Sequence, residues 1–205
     1  MEKGLVVAIT GQSGSGKSSF GKIYENLGYT VIDCDKIAAS ITSCDDCKNK
    51  LVEYFGTSIV KDGKIDKKEL SNLAFKEEKT LDVLTAITHP FIIKEILRII
   101  QECFEGGEAV VFVDGAVIIG HSFERYCDKI IVVAASLENQ CARLMDRDNI
   151  SYSQGKNRIL KQMELEQMIK KADYIVHNNS TKDDLKAQGK KVLEKILKDE
   201  RGDGK

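Results

Sequence analysis

The chain has 205 residues, enough for one well-buried core with an inserted subdomain and short for two independent domains. Hydrophobic residues make up 42% and charged residues 31%, a globular rather than a disordered balance. With 31 basic against 32 acidic residues the net charge is −1, so no whole-chain field draws the protein to nucleic acid or to a membrane surface.

The opening, "MEKGLVVAITGQ", carries an apolar stretch too short for a signal peptide's apolar region, and no small-residue cleavage site follows. No apolar run approaches the roughly 20 residues of a membrane helix. The expected location is the cytoplasm. "LVVAI" (5–9), "YTVI" (29–32), "AVVFV" (109–113), "IIVVA" (130–134) and "YIV" (174–176) are short, rich in β-branched residues and flanked by Gly or Asp. They read as buried strands, and the helical segments between them indicate a parallel sheet covered on both faces. Between the first two, Phe20, Ile23, Tyr24 and Leu27 share a helical face that Gly28 ends.

From 36 to about 104 the pattern is helical, with "FGTSIVKDGKID" as a loop or turn. The single proline, Pro90, should kink or end the long helical run near His89. After the fourth strand, a charged helical stretch is broken near Asn149 to Gly155, which suits a mobile hairpin. "TKDDLKAQGKKVLEKILK" is a closing amphipathic helix, and 199–205 reads as a frayed tail. Six cysteines occur, and reduced thiols are expected in this compartment. Cys44 and Cys47 form one C-x-x-C with no second pair, so solvated thiols are favoured over a metal or redox site.

Directly after the first strand stands "GQSGSGKSSF". Gly11, Gly16, Lys17 and Ser18 satisfy G-x-x-x-x-G-K-[ST], with the required strand before and helix after. Glycines let main-chain amides curl around phosphate oxygens, and the next helix presents its positive end to the same anion. Ser13, Gly14, Ser15 and Ser19 complete the nucleotide-binding segment. Lys17 supplies a full charge to the terminal phosphates, and the Ser18 hydroxyl can ligate magnesium. A Gly/Ser turn with an exposed lysine is the alternative, and it leaves the lysine's position unexplained.

"VIDCD" places Asp33 and Asp35 at the carboxyl end of a strand taken to lie beside the first. Asp33 is favoured for chemistry, as a proton acceptor or through-water magnesium holder, and Asp35 for an N-cap. Asp114 closes "VVFVD", the form of a second carboxylate near magnesium, although a plain "DG" turn fits as well. Arg143 and Arg147, four residues apart in "RLMDRD", share a helix face and could neutralise charge on a transferring phosphoryl group; Asp146 and Asp148 offer the alternative of a solvated, salt-bridged helix. His89 by itself is more often a buried, hydrogen-bonded histidine than a catalyst.

Together these segments resemble the dephospho-CoA kinase family. "ITGQSGSGKSSFGKIYENLGYTVIDCDKIA", "YFGTSIVKDGKIDKKELSNLAF", "LTAITHPFI", "RLMDRD", "RILKQM" and "ADYIVHNN" carry the likeness, over about residues 4 to 198. The resemblance implies an α/β, three-layer P-loop NTPase fold with a parallel sheet of about five strands. It implies one kinase domain over 1–205, with a helical CoA-binding insertion at 36–104 and a lid at 141–165. The implied reaction moves the γ-phosphoryl of ATP, with magnesium, to the ribose 3′-hydroxyl of dephospho-CoA.

On this likeness the catalytic groups are Asp33 as general base, Lys17 and Arg143. Gly11, Ser13, Gly14, Ser15, Gly16, Lys17, Ser18, Ser19, Arg143 and Arg147 bind the nucleotide. Asp33, His89 and Asp114 face the acceptor, and Ser18 and Asp114 hold metal. The expected partners are small molecules, with no nucleic acid or membrane, and the chain a monomer or weak homo-oligomer. Two positions depart from the family pattern: Ala39 stands where an arginine is usual, and Gly120 where a glutamate is usual. Another small-molecule or nucleoside monophosphate P-loop kinase, or a nucleotide-binding regulatory module without turnover, stays open on the sequence alone.

Overall fold

The computed structural model describes residues 4–74, 78–116 and 118–200. In chain order its elements are β1 (Leu5–Thr10), α1 (Lys17–Glu25), β2 (Val31–Asp33), α2 (Cys34–Ile41), α3 (Asp45–Phe55), β3 (Val60–Lys61), β4 (Lys64–Ile65), α4 (Lys67–Ala74) and α5 (Glu78–Glu105). There follow β5 (Val110–Asp114), β6 (Lys129–Ala134), α6 (Leu137–Asp148), α7 (Tyr152–Leu160), α8 (Leu165–Lys170), β7 (Tyr174–His177) and α9 (Lys182–Glu200). They form two compact units, one of Met1–Ile32 with Glu102–Lys205, the other of Asp33–Gln101.

The five expected strands all form and make one parallel sheet in the order β2-β5-β1-β6-β7. β1 is central, with Ile9 opposite Asp114 on one side and Thr10 opposite Val132 on the other. The strand after α1 therefore does not lie beside the first, as the sequence had suggested; β5 occupies that place. The crossover after β1 skips a position that a later strand fills, and a strand's own sequence does not record its neighbour. β2 also begins two residues later than expected, because Gly28 at φ 89 and the bond from the Tyr29 amide to the Tyr24 carbonyl (3.0 Å) spend that stretch on a turn.

Strand residues Val7, Ile9, Val110, Phe112, Ile131, Val133 and Val176 meet Phe20 and Tyr24 of α1 and Leu185, Val192, Leu193 and Ile196 of α9 in one core. Tyr24 stacks on Phe112 with ring centroids 4.1 Å apart. Its hydroxyl donates to the Gly189 carbonyl at 3.2 Å, so a buried phenol keeps a partner. α9 runs through Glu200, two residues into the stretch read as a tail; 201–205 lie outside the described residues. Among the described residues no helix is long and apolar enough to cross a membrane.

The second unit is mostly helical and is built on Ile41, Cys47, Leu51, Ile59 and Leu70. Three expectations are corrected there. "SIVKDGKI" is not a plain loop but an antiparallel hairpin, pairing Val60 with Ile65 and Lys61 with Lys64. Asp62 (φ 51) and Gly63 (φ 74) supply the two left-handed residues that such a two-residue turn requires. Of the two effects expected of Pro90, a kink or an end, the end does not occur: α5 is helical across it. Leu84, Ile87, Phe91 and Ile92, on both sides of the proline, pack on the unit's core, and that burial outweighs one missing ladder bond. Finally, Cys47 is fully buried, and burial raises its thiol above the usual range, while Cys44 is exposed. The pair is thus one core residue and one surface thiol, not two solvated ones.

The charged segment after β6 forms three helices. Asn149, left-handed at φ 51, stops α6, and Ser151 restarts the chain as α7. Ser151 and Gln154 form a reciprocal capping box. The break therefore spans 149–151, and Gly155 lies within α7, where a Cβ would touch the Cα of Cys141 at 3.7 Å.

Candidate active site

β1 delivers the chain into the glycine-rich turn at the carboxyl end of the sheet's central strand. Gly16 is left-handed (φ 95, ψ 25) and N-caps α1, its carbonyl accepting from the Phe20 amide at 3.0 Å. The first amides of a helix have no partner within it and point outward with the positive end of the helix dipole. Phe20 and Tyr24 turn one face of α1 into the core, leaving Ser18 and Ser19 exposed. No acidic side chain stands in this first turn to compete with an anion.

A cleft of about 350 Å³ opens there, lined by Gly14, Gly16, Lys17, Ser18, Ser19, Arg143, Leu144 and Arg147. α6 thus brings both expected arginines to the loop that the sequence assigned to phosphate. Gly11 and Ser15 are buried behind it, and the Ser13 amide donates to Gln162 Oε1 at 2.8 Å. The Ser15 amide turns inward to the Gln12 carbonyl at 3.1 Å.

Arg143 holds the loop itself. Its Nη1 donates to the carbonyls of Gly14 and Ser15 at 3.1 Å each, and its Nη2 to the Asn178 carbonyl at 2.8 Å. Arg147 instead donates from Nε and Nη2 to the Asp148 carboxylate, which also accepts from Arg158 at 2.8 Å. The two guanidiniums hold Asp148 below the ordinary carboxylate range, and Arg147 is raised in turn by the same pairing. Arg147 is therefore salt-bridged along its helix and also lines the cleft.

Asp114 is buried at the end of β5, and a Cβ placed on Gly21 would come within 3.9 Å of its Oδ2, so α1 crosses close above this carboxylate. Asp33 closes β2, where the second unit begins, and N-caps α2 through Oδ1, which accepts from the Lys36 amide at 3.0 Å. The cap expected of Asp35 is therefore made by Asp33; Asp35 is exposed in the first turn of α2. α2 begins one residue after the strand ends, which leaves Asp33 the only residue in cap position. His89 is half-buried on α5 of the second unit.

Sequence reasoning missed Gln12, Gln140, Gln162 and Asn178. Gln12 Nε2 donates to the Met163 carbonyl at 3.0 Å, Gln140 Nε2 to the Ala135 carbonyl at 2.7 Å, and Asn178 Nδ2 to the Ser15 carbonyl at 2.8 Å. Gln140 is 2% exposed, and a buried amide on a charged amphipathic helix was the one available signal. The two departures from the family pattern have nearby charges from elsewhere in the chain. The Ala39 carbonyl accepts from Lys67 Nζ, and the Gly120 amide donates to Glu124 Oε2. Val117, between the latter and Asp114, lies outside the described residues.

The family model described as dephospho-CoA kinase matches residues 5–184. The chain is 31% identical over 194 residues to the dephospho-CoA kinase of Fusobacterium nucleatum, covering 94% of this chain and 98% of that one. It is 33% identical over 192 residues to the dephospho-CoA kinase of Carboxydothermus hydrogenoformans, covering 93% of each. The solved structure of dephospho-CoA kinase from Campylobacter jejuni is similar at a TM-score of 0.71 and 29% identity, over 93% of this chain and 96% of that one. A five-stranded parallel α/β sheet, a phosphate loop after its central strand and a match across nearly the whole length agree: the chain belongs to the dephospho-CoA kinase family.

Proposed function

We propose that this protein transfers the γ-phosphoryl group of ATP to the ribose 3′-hydroxyl of dephospho-CoA, giving coenzyme A and ADP, in the cytoplasm. The observation that carries the reading is the single cleft in which the loop residues Gly14, Gly16, Lys17, Ser18 and Ser19 meet Arg143 and Arg147. Three cationic side chains and a helix N-terminus converge on one volume, the electrostatics a polyphosphate tail requires.

Lys17 neutralises the terminal phosphates, and the amides opening α1 orient them in line for attack. Arg147 stabilises charge spreading over the transferring group, while Arg143 touches the cleft and holds the loop. Asp33 accepts the proton of the acceptor hydroxyl as oxygen bonds to phosphorus and the bond to the ADP oxygen breaks. The oxygen donors Ser18 and Asp114 suit magnesium. Among the described residues no three His, Cys, Asp or Glu side chains gather as metal ligands, which fits an ion held partly by phosphate oxygens and water. When bound, that ion supplies further positive charge to the phosphates.

The test is a product assay with ATP, magnesium and dephospho-CoA beside a panel of nucleoside monophosphates. Coenzyme A formed in a saturable manner supports the proposal. Saturable turnover with another acceptor only, or ATP binding without any product, overturns it.

A further inference from the structure

We infer that Asn178 is a positioning residue of the phosphate loop, fixing with Arg143 the orientation of the loop's Gly14–Ser15 and Ser15–Gly16 peptide units. The inference rests on the loop's role in nucleotide binding and not on the identity of the acceptor.

Asn178 directly follows β7 and is 8% exposed. Its main-chain amide, main-chain carbonyl and side-chain Nδ2 are all engaged. Its amide donates to the Ala134 carbonyl at 2.8 Å, anchoring it to the end of β6. Its carbonyl accepts from Arg143 Nη2, and its Nδ2 donates to the Ser15 carbonyl, each at 2.8 Å. Ser15's carbonyl thereby receives two donors, Asn178 Nδ2 and Arg143 Nη1, which fills both of its lone pairs.

A trans peptide is planar, so its C=O and N–H point in opposite directions. Pinning the Gly14 carbonyl to Arg143 sends the Ser15 amide the other way, and that amide is found on the Gln12 carbonyl. Pinning the Ser15 carbonyl likewise sends the Gly16 amide away from Asn178 and Arg143, just ahead of the amides that open α1. Neither donor needs to touch the ligand to set this direction. The residue type follows from the contact: an aspartate at 178 would set an anionic oxygen against a carbonyl oxygen. The requirement for glycine at 16 follows as well, since a Cβ there would sit 2.1 Å from Asn178 Nδ2. The neighbouring Asn179 does a different task. Its Oδ1 accepts from the Ser136 amide at 2.7 Å and from Asn139 Nδ2 at 3.3 Å, tying the same strand end to the start of α6 without reaching the loop.

The experiment is calorimetric titration of the full chain with ATP and magnesium, without acceptor, for the parent, Asn178→Ala, Asn178→Asp and Asn179→Ala, with a thermal melt of each. Asn178→Ala is expected to weaken ATP about tenfold, the scale of one buried hydrogen bond lost. Asn178→Asp weakens it further, and Asn179→Ala stays within about twofold of the parent. In the transfer assay the KM for ATP rises with the dissociation constant while the KM for the acceptor holds. A residue needed only for folding would lower the melting temperature and leave ATP affinity in place. Should Asn178→Ala not fold, Arg143→Lys, which loses the fork that spans Gly14, Ser15 and Asn178, is expected to weaken ATP by a similar factor. ATP affinity equal to the parent's in the folded Asn178 variant, or in Arg143→Lys where that variant must stand in, overturns the inference. Failure of the kinase proposal is distinguishable, because it would show as absent product with nucleotide affinity retained.

Discussion

Asp33 accepts a hydrogen bond from the Lys36 amide at 3.0 Å and an ionic contact from the Lys36 ammonium at 3.2 Å. One carboxylate thus starts a helix and stands where a general base is proposed, and the two roles separate by substitution. Asparagine caps a helix about as well as aspartate but cannot take up the proton. Asp33→Asn should keep the parent's melting temperature and ATP affinity while transfer falls by orders of magnitude. Asp33→Ala should lose transfer and, in addition, about 1 kcal/mol of stability from the missing cap. Full activity in Asp33→Asn would refute the base assignment.

Gly16→Ala should abolish nucleotide binding. At φ 95 an alanine is strained by about 1–2 kcal/mol, and its Cβ would force Asn178 Nδ2 off the Ser15 carbonyl. Gly28→Ala is the matched comparison: φ is 89, yet nothing lies within 4 Å of an added Cβ. That variant should lose stability on a similar scale and bind ATP normally. Denaturant midpoints and ATP titrations of the two proteins check the contrast.

Lys171 holds the Glu124 carboxyl below its ordinary range, helped by the Gly120 amide. A carboxyl depressed in the folded state adds stability above its unfolded pKa, about 4.3. That stability is lost as pH falls through the folded value. Glu124→Gln should therefore be slightly less stable than the parent at neutral pH, by about 0.2–1 kcal/mol for a solvent-screened pair. The gap should close in melts run below about pH 4. A gap that widened with acidification would contradict the pairing.

Pro90 is exposed in the interior of α5 and deprives the helix of one main-chain donor. Pro90→Ala restores that donor and removes no buried contact. It should raise stability by about 1–3 kcal/mol, read as a higher urea midpoint at unchanged m-value.

The parts legible from sequence were those whose chemistry is local. β-branched runs such as Val110–Val113 announce buried strands because side-chain shape and burial agree within one segment. The phosphate loop is legible because glycine spacing, the lysine and the flanking strand and helix are contiguous. Sheet order was not, since Ile9 meets Asp114 across a hundred residues of intervening chain. The Asp62–Gly63 hairpin was readable in principle, but strands of two residues give the alternation pattern too little length. Asn178 and Gln162 were invisible for a different reason: their partners are a main-chain carbonyl and a main-chain amide of the loop, and a main-chain group leaves no mark on sequence.

Tyr24 and Gly189 are 165 positions apart, yet α1 and α9 close on each other through that pair, with Phe20 and Ile23 against the bare Cα of Gly189. The helix that launches from the phosphate loop leaves the ribosome well before the surface it rests upon. A nascent chain halted before Gly189 would carry the complete nucleotide motif while the α9 side of Phe20, Ile23 and Tyr24 stayed uncovered. Competence to hold ATP should therefore arrive long after the motif itself has been translated.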